Sequence, residues 1–230
     1  MNRGVFVLPT IGIVLIAFFF MILLFAPLMI LGLVGRALND YGIGWSSFLL
    51  FLLVSLIGSS INIPVWRTQV ASATPTVRYV YFFGMPYPVP SVERRILERI
   101  LSINLGGAIM PSLLSAYLLF ANPGAVAPSL IATAVVSLVV YFIAKPVSGV
   151  GIVTPMFIPP LVAAVSALVF GIQYSVVVAY VSGTLGTLIG ADLLHLKDIR
   201  SMGAGNMSIG GAGTFDGIFL TGLLAVLLAF

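Results

Sequence analysis

The chain reads as an all-α, polytopic membrane protein of about seven transmembrane helices. Three observations lead there. Of its 230 residues, 60% are apolar and only 7% are charged, where a soluble domain carries about 25% charged side chains. Mean hydropathy is +1.22. The apolar residues also fall into runs that can cross a bilayer, which takes about 20 residues. With no cysteine and one histidine, a disulfide scaffold, bis-histidine haem ligation and a two-histidine zinc-protease motif are excluded. The expected domain is single, 1–230.

The first span covers about 5–34, uncharged between Arg3 and Arg36. It is too long for a signal-peptide core and lacks a cleavage site, so it is read as a retained helix with Pro27 as a kink site. The second, about 44–63, is closed by Pro64. The third, about 100–120, ends at the turn signal Asn122-Pro123-Gly124. The fourth, about 126–144, is closed by Lys145-Pro146, and the fifth, about 152–171, is broken near its start by Pro155, Pro159 and Pro160. The sixth covers about 175–194 and the last about 216–230.

Seven crossings sort the basic residues. Arg3, Arg67, Arg78, Arg94, Arg95, Arg99, Lys145, Lys197 and Arg200 collect on one side, and Arg36 alone on the other. Lys and Arg mark the cytoplasmic side, so the N-terminus is expected in the cytoplasm and the C-terminus outside. The net charge of +4 is then an orientation and lipid-headgroup signal. Nucleic acid is not an expected partner, because the cations are dispersed among connectors; membrane lipids are.

Two connectors stand out. Val65–Val70 and Val77–Phe83 are rich in strand formers and predict a cytoplasmic hairpin across Ala73-Thr74-Pro75-Thr76. Gly84–Pro90 then reads as proline-stiffened extended chain, and Glu93–Arg99 as an amphipathic lead into the third helix. The other connector, Lys197–Gly213, is rich in glycine, which permits close backbone approach and exposes amides.

Ionisable groups at membrane depth mark candidate functional sites. Of six acidic residues, Glu93 and Glu98 lie among arginines, Asp40 is in a short connector, and Asp198 has Lys197 and Arg200 beside it. Asp192 and Asp216 end and begin apolar helices, both toward the cytoplasmic side, with Asn62 and Asn104 expected at the same depth. Four helices would thus share a polar cavity, lined also by Gly190, Gly210, Gly211, Gly213 and Gly217. Two close carboxylates share one proton, so one acts as base and the other as acid on a water. Helix capping by Asp216 is the structural alternative. Asp192, His195 and Asp198 are spaced three apart and could hold a metal ion, although no metal or other cofactor is expected. The glycine-rich connector lacks the Gly-Lys-Ser/Thr ending of a phosphate loop.

Ile103–Ala108, Pro146–Ile152, Phe157–Pro160, Gly183–Leu194 and Ile209–Phe219 together resemble the domain-of-unknown-function family numbered 1614. That resemblance covers nearly the whole chain and implies an archaeal or bacterial multi-pass membrane protein. A weaker similarity is to presenilin and signal-peptide-peptidase-type intramembrane aspartyl proteases. Phe215-Asp216 looks like their Tyr-Asp, and Ile189-Gly190-Ala191-Asp192 like their Gly-x-Gly-Asp. Here the two motifs come in reversed order, Ile189 and Ala191 replace glycines, and no Pro-Ala-Leu follows.

The leading functional expectation is an intramembrane aspartyl-type protease or hydrolase, with Asp192 and Asp216 catalytic and a membrane-protein or peptide substrate. The alternative is a small-solute or ion transporter or channel with a carboxylate-lined path. A non-catalytic scaffold is the third class.

Overall fold

The computed structural model describes residues 10–147, 151–197, 206–211 and 217–230. The described residues are mostly helical. They contain seven long α-helices: α1 (Thr10–Asn39), α2 (Trp45–Gly58), α3 (Met110–Ala121), α4 (Val126–Ile143), α5 (Ile158–Phe170), α6 (Ser175–Thr187) and α7 (Gly217–Ala229). Five strands accompany them: β1 (Asn62–Phe82), β2 (Met85–Asn104), β3 (Lys145–Val147), β4 (Gly151–Val153) and β5 (Asn206–Ile209). Two π-helical turns, Leu105–Ile109 and Leu188–Leu193, lead into α3 and out of α6.

The hub is α6, buried on nearly its whole circumference between α4, α5 and α7. Its glycines make that packing possible. A Cβ on Gly186 would come within 2.6 Å of the Val136 side chain, and one on Gly183 within 3.2 Å of Ala225 Cβ. Where lipid and core are equally apolar, such small residues let helices associate by close van der Waals packing. The outer surface is apolar as well, with Phe18, Phe19, Leu23, Leu24 and Met29 of α1 all exposed. In water that would be an aggregation hazard; against lipid it is a solvated surface.

Among the described residues, three helices are long and apolar enough to cross a bilayer: Phe18–Asn39, Pro123–Ile143 and Ile172–Leu193. Trp45–Gly58, Leu105–Ala121, Ile158–Phe170 and Gly217–Ala229 are apolar but shorter. The expected fifth span shortens for the reason its prolines gave. Residues 151–153 form β4, antiparallel to β3, and α5 starts at Ile158 with Pro159 and Pro160 in its first turn, where their missing amides cost nothing.

The hairpin exists but turns elsewhere. β1 and β2 pair antiparallel from Asn62↔Asn104 to Phe82↔Met85, with one irregularity between Pro64 and Trp66. The turn is Phe83-Gly84, not residues 73–76, which lie within β1. A two-residue hairpin turn with positive φ at both positions needs a residue tolerant of that region. Phe83 has φ 50° and Gly84 φ 80°, and Gly84 is the only glycine between Gly58 and Gly106. Residues 93–99, expected to be helical, belong to β2, so the third helical segment begins at Leu105 rather than Ile100. β5 adds parallel to β2, giving the order β1-β2-β5.

Hydrogen bonds gather the connectors at two ends. At one end the Tyr41 hydroxyl donates to the Gln173 carbonyl, Tyr117 to Gly42, Asn122 to Tyr41 and Ser175 to Ala229. Burial and the neighbouring Asp40 carboxylate push the Tyr41 phenol above its ordinary range. Asn62, Asn104, Asp192, His195, Lys145 and Lys197 belong to the opposite end, where the hairpin starts.

Candidate functional site

The hairpin base is a small apolar nucleus carrying a polar link. Leu101, Ala108 and Ile209 are buried together, with Trp66, Ile103, Leu188, Leu196 and Met207 packed around them. This nucleus fixes where β2 and β5 end relative to both π-turns.

Asn104, the last residue of β2, is 0% exposed. Its Nδ2 donates to the Ser59 carbonyl at 2.7 Å and to Asn62 Oδ1 at 3.1 Å, and its Oδ1 accepts the Gly107 amide at 2.7 Å. It therefore caps the Leu105–Ile109 turn, satisfying an amide that a helix start leaves orphaned. Ser208 of β5 donates to Asn62 Oδ1 at 2.5 Å. Asn62 and Asn104 do meet, as the first register pair of a hairpin and not from two transmembrane helices. Asn104 is structural cement, whereas Asn62 is exposed.

Asp192 sits in the π-turn after α6 and is half-buried. The Gly210 amide, just past β5, donates to its Oδ2 at 3.3 Å. Gly210 has φ 81° and Gly211 φ 92°, and a Cβ on Gly210 would press on the Ala108 backbone nitrogen at 2.7 Å. Glycine is needed there for both conformation and space. Leu188 and Leu193 of the π-turn that carries Asp192 line a cavity of about 390 Å³ together with Ile103, Ala108, Ile109, Leu113 and Ile209, with Ser112 as its one polar side chain. Both π-turns thus face one apolar cavity, and π-turns within α-helices are frequent at functional sites.

The other expected site residues distribute differently. Gly190 is buried against α4, where a Cβ would fall 2.5 Å from the Ser137 carbonyl oxygen, so it serves packing and does not line the cavity. Gly217 is exposed at the start of α7, and Gly211 is half-buried beside Gly210. Asp216, Gly213 and Asp198 lie outside the described residues.

His195 is 6% exposed. Its Nδ1 lies 3.0 Å from the carbonyl oxygens of both Gly190 and Ala191. Two acceptors facing one ring nitrogen require that nitrogen to carry the proton. The ring packs on Tyr141 with centroids 4.8 Å apart. His195 therefore closes the carbonyl end of the π-turn and fastens it to α4. Among the described residues, no group of three His, Cys, Asp or Glu side chains gathers that could hold a metal ion.

Ser59 and Tyr141 complete this region and were missed from the sequence, where neither the Ser59 carbonyl nor the Tyr141 ring leaves a local signal; Ser208 stands out there only as a polar group in the glycine-rich connector.

The family model described as "Protein of unknown function (DUF1614)" matches residues 56–228. Neither a curated protein nor a solved structure matches the chain. That family match takes in the hairpin, both π-turns, Asp192 and α7, so the chain belongs to the DUF1614 family of proteins of unknown function.

Proposed function

We propose that this protein is a multi-pass membrane hydrolase, of aspartyl type, acting on an extended apolar peptide segment. The observation that carries the reading is the delivery of a strand to a carboxylate: β5 runs beside β2 and ends where the Gly210 amide meets Asp192. A substrate strand laid along β5 would place an apolar side chain in the 390 Å³ cavity and its scissile carbonyl at Asp192. Strand addition of this kind supplies backbone hydrogen bonds and pockets for alternate side chains.

The chemistry needs a second carboxyl, which the proposal assigns to Asp216, one residue before α7 in the sequence. The ionised member takes a proton from water, whose oxygen attacks the carbonyl carbon. The protonated member gives its proton to the carbonyl oxygen. Collapse of the tetrahedral intermediate breaks the C–N bond: the departing nitrogen takes the proton that the first carboxyl gained from water, and a hydroxyl of the intermediate returns a proton to the second, leaving a carboxylic acid and an amine. In the same proposal the seven helices all cross the membrane, with the hairpin end and N-terminus cytoplasmic. Support comes from Arg67, Arg78, Lys145 and Lys197 lying toward that end and Arg36 toward the other.

The test is cleavage of a fluorogenic apolar peptide by protein reconstituted in proteoliposomes. Cleavage lost in both Asp192→Asn and Asp216→Asn, with folding retained, supports the dyad. Full cleavage by either variant removes it.

A second reading, a proton- or cation-coupled transporter, is favoured by a specific feature. Tyr180, Thr184 and Thr187 follow one another at helical spacing down α6 toward Asp192, and all three hydroxyls are buried. Uptake of solute driven by a pH gradient in liposomes, abolished by Asp192→Asn, would select that reading.

A further inference from the structure

We infer that the distal half of the β1–β2 hairpin is a lipid-docking arm that lies on the headgroup layer of the bilayer holding its own helices. This rests on the hairpin alone and is independent of the chemistry proposed at Asp192. From Trp66 to Phe82, at about 3.3 Å per residue, the arm reaches about 55 Å from its base.

Its tip is apolar on both faces. Opposed residues in a ladder share a face, so Tyr79 and Tyr81 lie on one side, with Val80, Phe82, Met85 and Tyr87 on the other. All six are exposed, and Phe83 at the turn is 96% exposed. A protein partner covers one face of a ribbon; immersion in an acyl and headgroup layer covers both. Tyrosine and other amphipathic aromatic side chains are enriched at that depth.

Proline placement argues against a strand as the occupant. The two-residue turn makes Phe82–Met85 a hydrogen-bonded pair, and such pairs alternate along an antiparallel ladder. Pairs 75/92, 77/90, 79/88 and 81/86 are then the non-hydrogen-bonded ones, whose amides point to the outer edges. Pro75, Pro86, Pro88 and Pro90 occupy those pairs. Every proline of the distal hairpin thus removes an outward donor, which blunts the edges against further pairing.

Charge selects the lipid. No acidic residue occurs between Asp40 and Glu93, while Arg67 and Arg78 are exposed along β1. Over the whole hairpin Arg67, Arg78, Arg94, Arg95 and Arg99 stand against Glu93 and Glu98, and this cationic excess, with no acidic residue near the tip, matches a surface lying alongside the arm. Anionic headgroups attract such residues at short range.

The absence of cysteine makes single-site labelling clean. Full-length Phe83→Cys carrying a nitroxide, in single-bilayer nanodiscs of phosphatidylcholine with phosphatidylglycerol, should show a several-fold higher ratio of oxygen to aqueous-nickel accessibility than Gln69→Cys. Adding Arg78→Gln, or omitting phosphatidylglycerol, should lower that ratio. An aqueous signal at position 83 overturns the proposal, as does spin–spin broadening between copies, which would mean tip-to-tip dimers. A signal that turns apolar only when two vesicles can meet also overturns it, in favour of an apposed membrane.

Discussion

The backbone amide of Gly210 donates to the carboxylate of Asp192 at 3.3 Å, joining the end of β5 to the π-turn below α6. The hydrogen bond fixes one carboxylate oxygen against the end of β5. Asp192→Asn keeps the shape and an acceptor oxygen but removes the charge. The expected stability loss is about 1 kcal/mol, read as a small drop in Tm in detergent. Under the hydrolase reading, kcat falls about 100-fold or more. A variant with unchanged kcat and a collapsed Tm would make Asp192 a purely structural residue.

Gly210→Ala attacks the same contact from the other side. A side chain here meets both a φ of 81° and the Ala108 backbone. The expected cost is about 1–3 kcal/mol, with β5 shifted off β2. Hydrogen exchange at Ile100–Ile103, the β2 residues paired with β5, should accelerate. If their protection is unchanged, the alanine has been accommodated and the close approach is not a constraint.

Asn104 and Asn62 separate burial from position. They are register partners, yet only Asn104 is fully buried with three hydrogen bonds. Asn104→Leu leaves the Ser59 carbonyl and the Gly107 amide unpaired, at an expected cost of about 3 kcal/mol. Asn62→Ala frees the Ser208 hydroxyl toward solvent and removes the longer of the two acceptors of Asn104 Nδ2, leaving the Ser59 and Gly107 bonds in place, and should cost less than Asn104→Leu. Equal effects in thermal unfolding would contradict the assignment of Asn104 as the cap.

Local signals located the helices because apolar runs bounded by Pro, Gly and Asn survive in any tertiary setting. They misread Glu93–Leu101. Its apolar residues Ile96, Leu97, Ile100 and Leu101 have helical spacing, and only the long-range ladder with β1 makes the segment a strand. The hairpin was legible as composition, but its turn was sought in a Thr-Pro-Thr stretch instead of at Gly84, where positive φ is affordable. Asp192 stood out as a carboxylate at the end of an apolar helix. Its link to Gly210 spans 18 residues and leaves no local trace. Asn104 was noticed for its polarity, and its capping role follows only from the neighbours that folding brings to it.

Phe83→Asn tests turn chemistry apart from lipid contact. Phe83 has φ 50°, a region Asn tolerates better than an aromatic residue. The substitution should slow hydrogen exchange at Val80–Tyr87 in detergent, corresponding to a gain of up to about 1 kcal/mol. The same change should weaken membrane association of the tip. Faster exchange would mean that the aromatic ring, and not the backbone, governs the turn.

His195 supplies the last test, because its contacts prescribe a protonation site. Nδ1 faces two carbonyl oxygens, so the neutral ring must carry its proton there and leave Nε2 bare. Nitrogen chemical shifts of the labelled single histidine should report that tautomer, and a proton on Nε2 alone would contradict the geometry. His195→Ala removes the donor from the Gly190 and Ala191 carbonyls and takes the ring off Tyr141. The expected loss is about 1–3 kcal/mol, and the π-turn bearing Asp192 should loosen with it. His195→Asn can restore one donor but not the aromatic contact, so it should recover only part of the stability. Full recovery would leave the stacking on Tyr141 without a role.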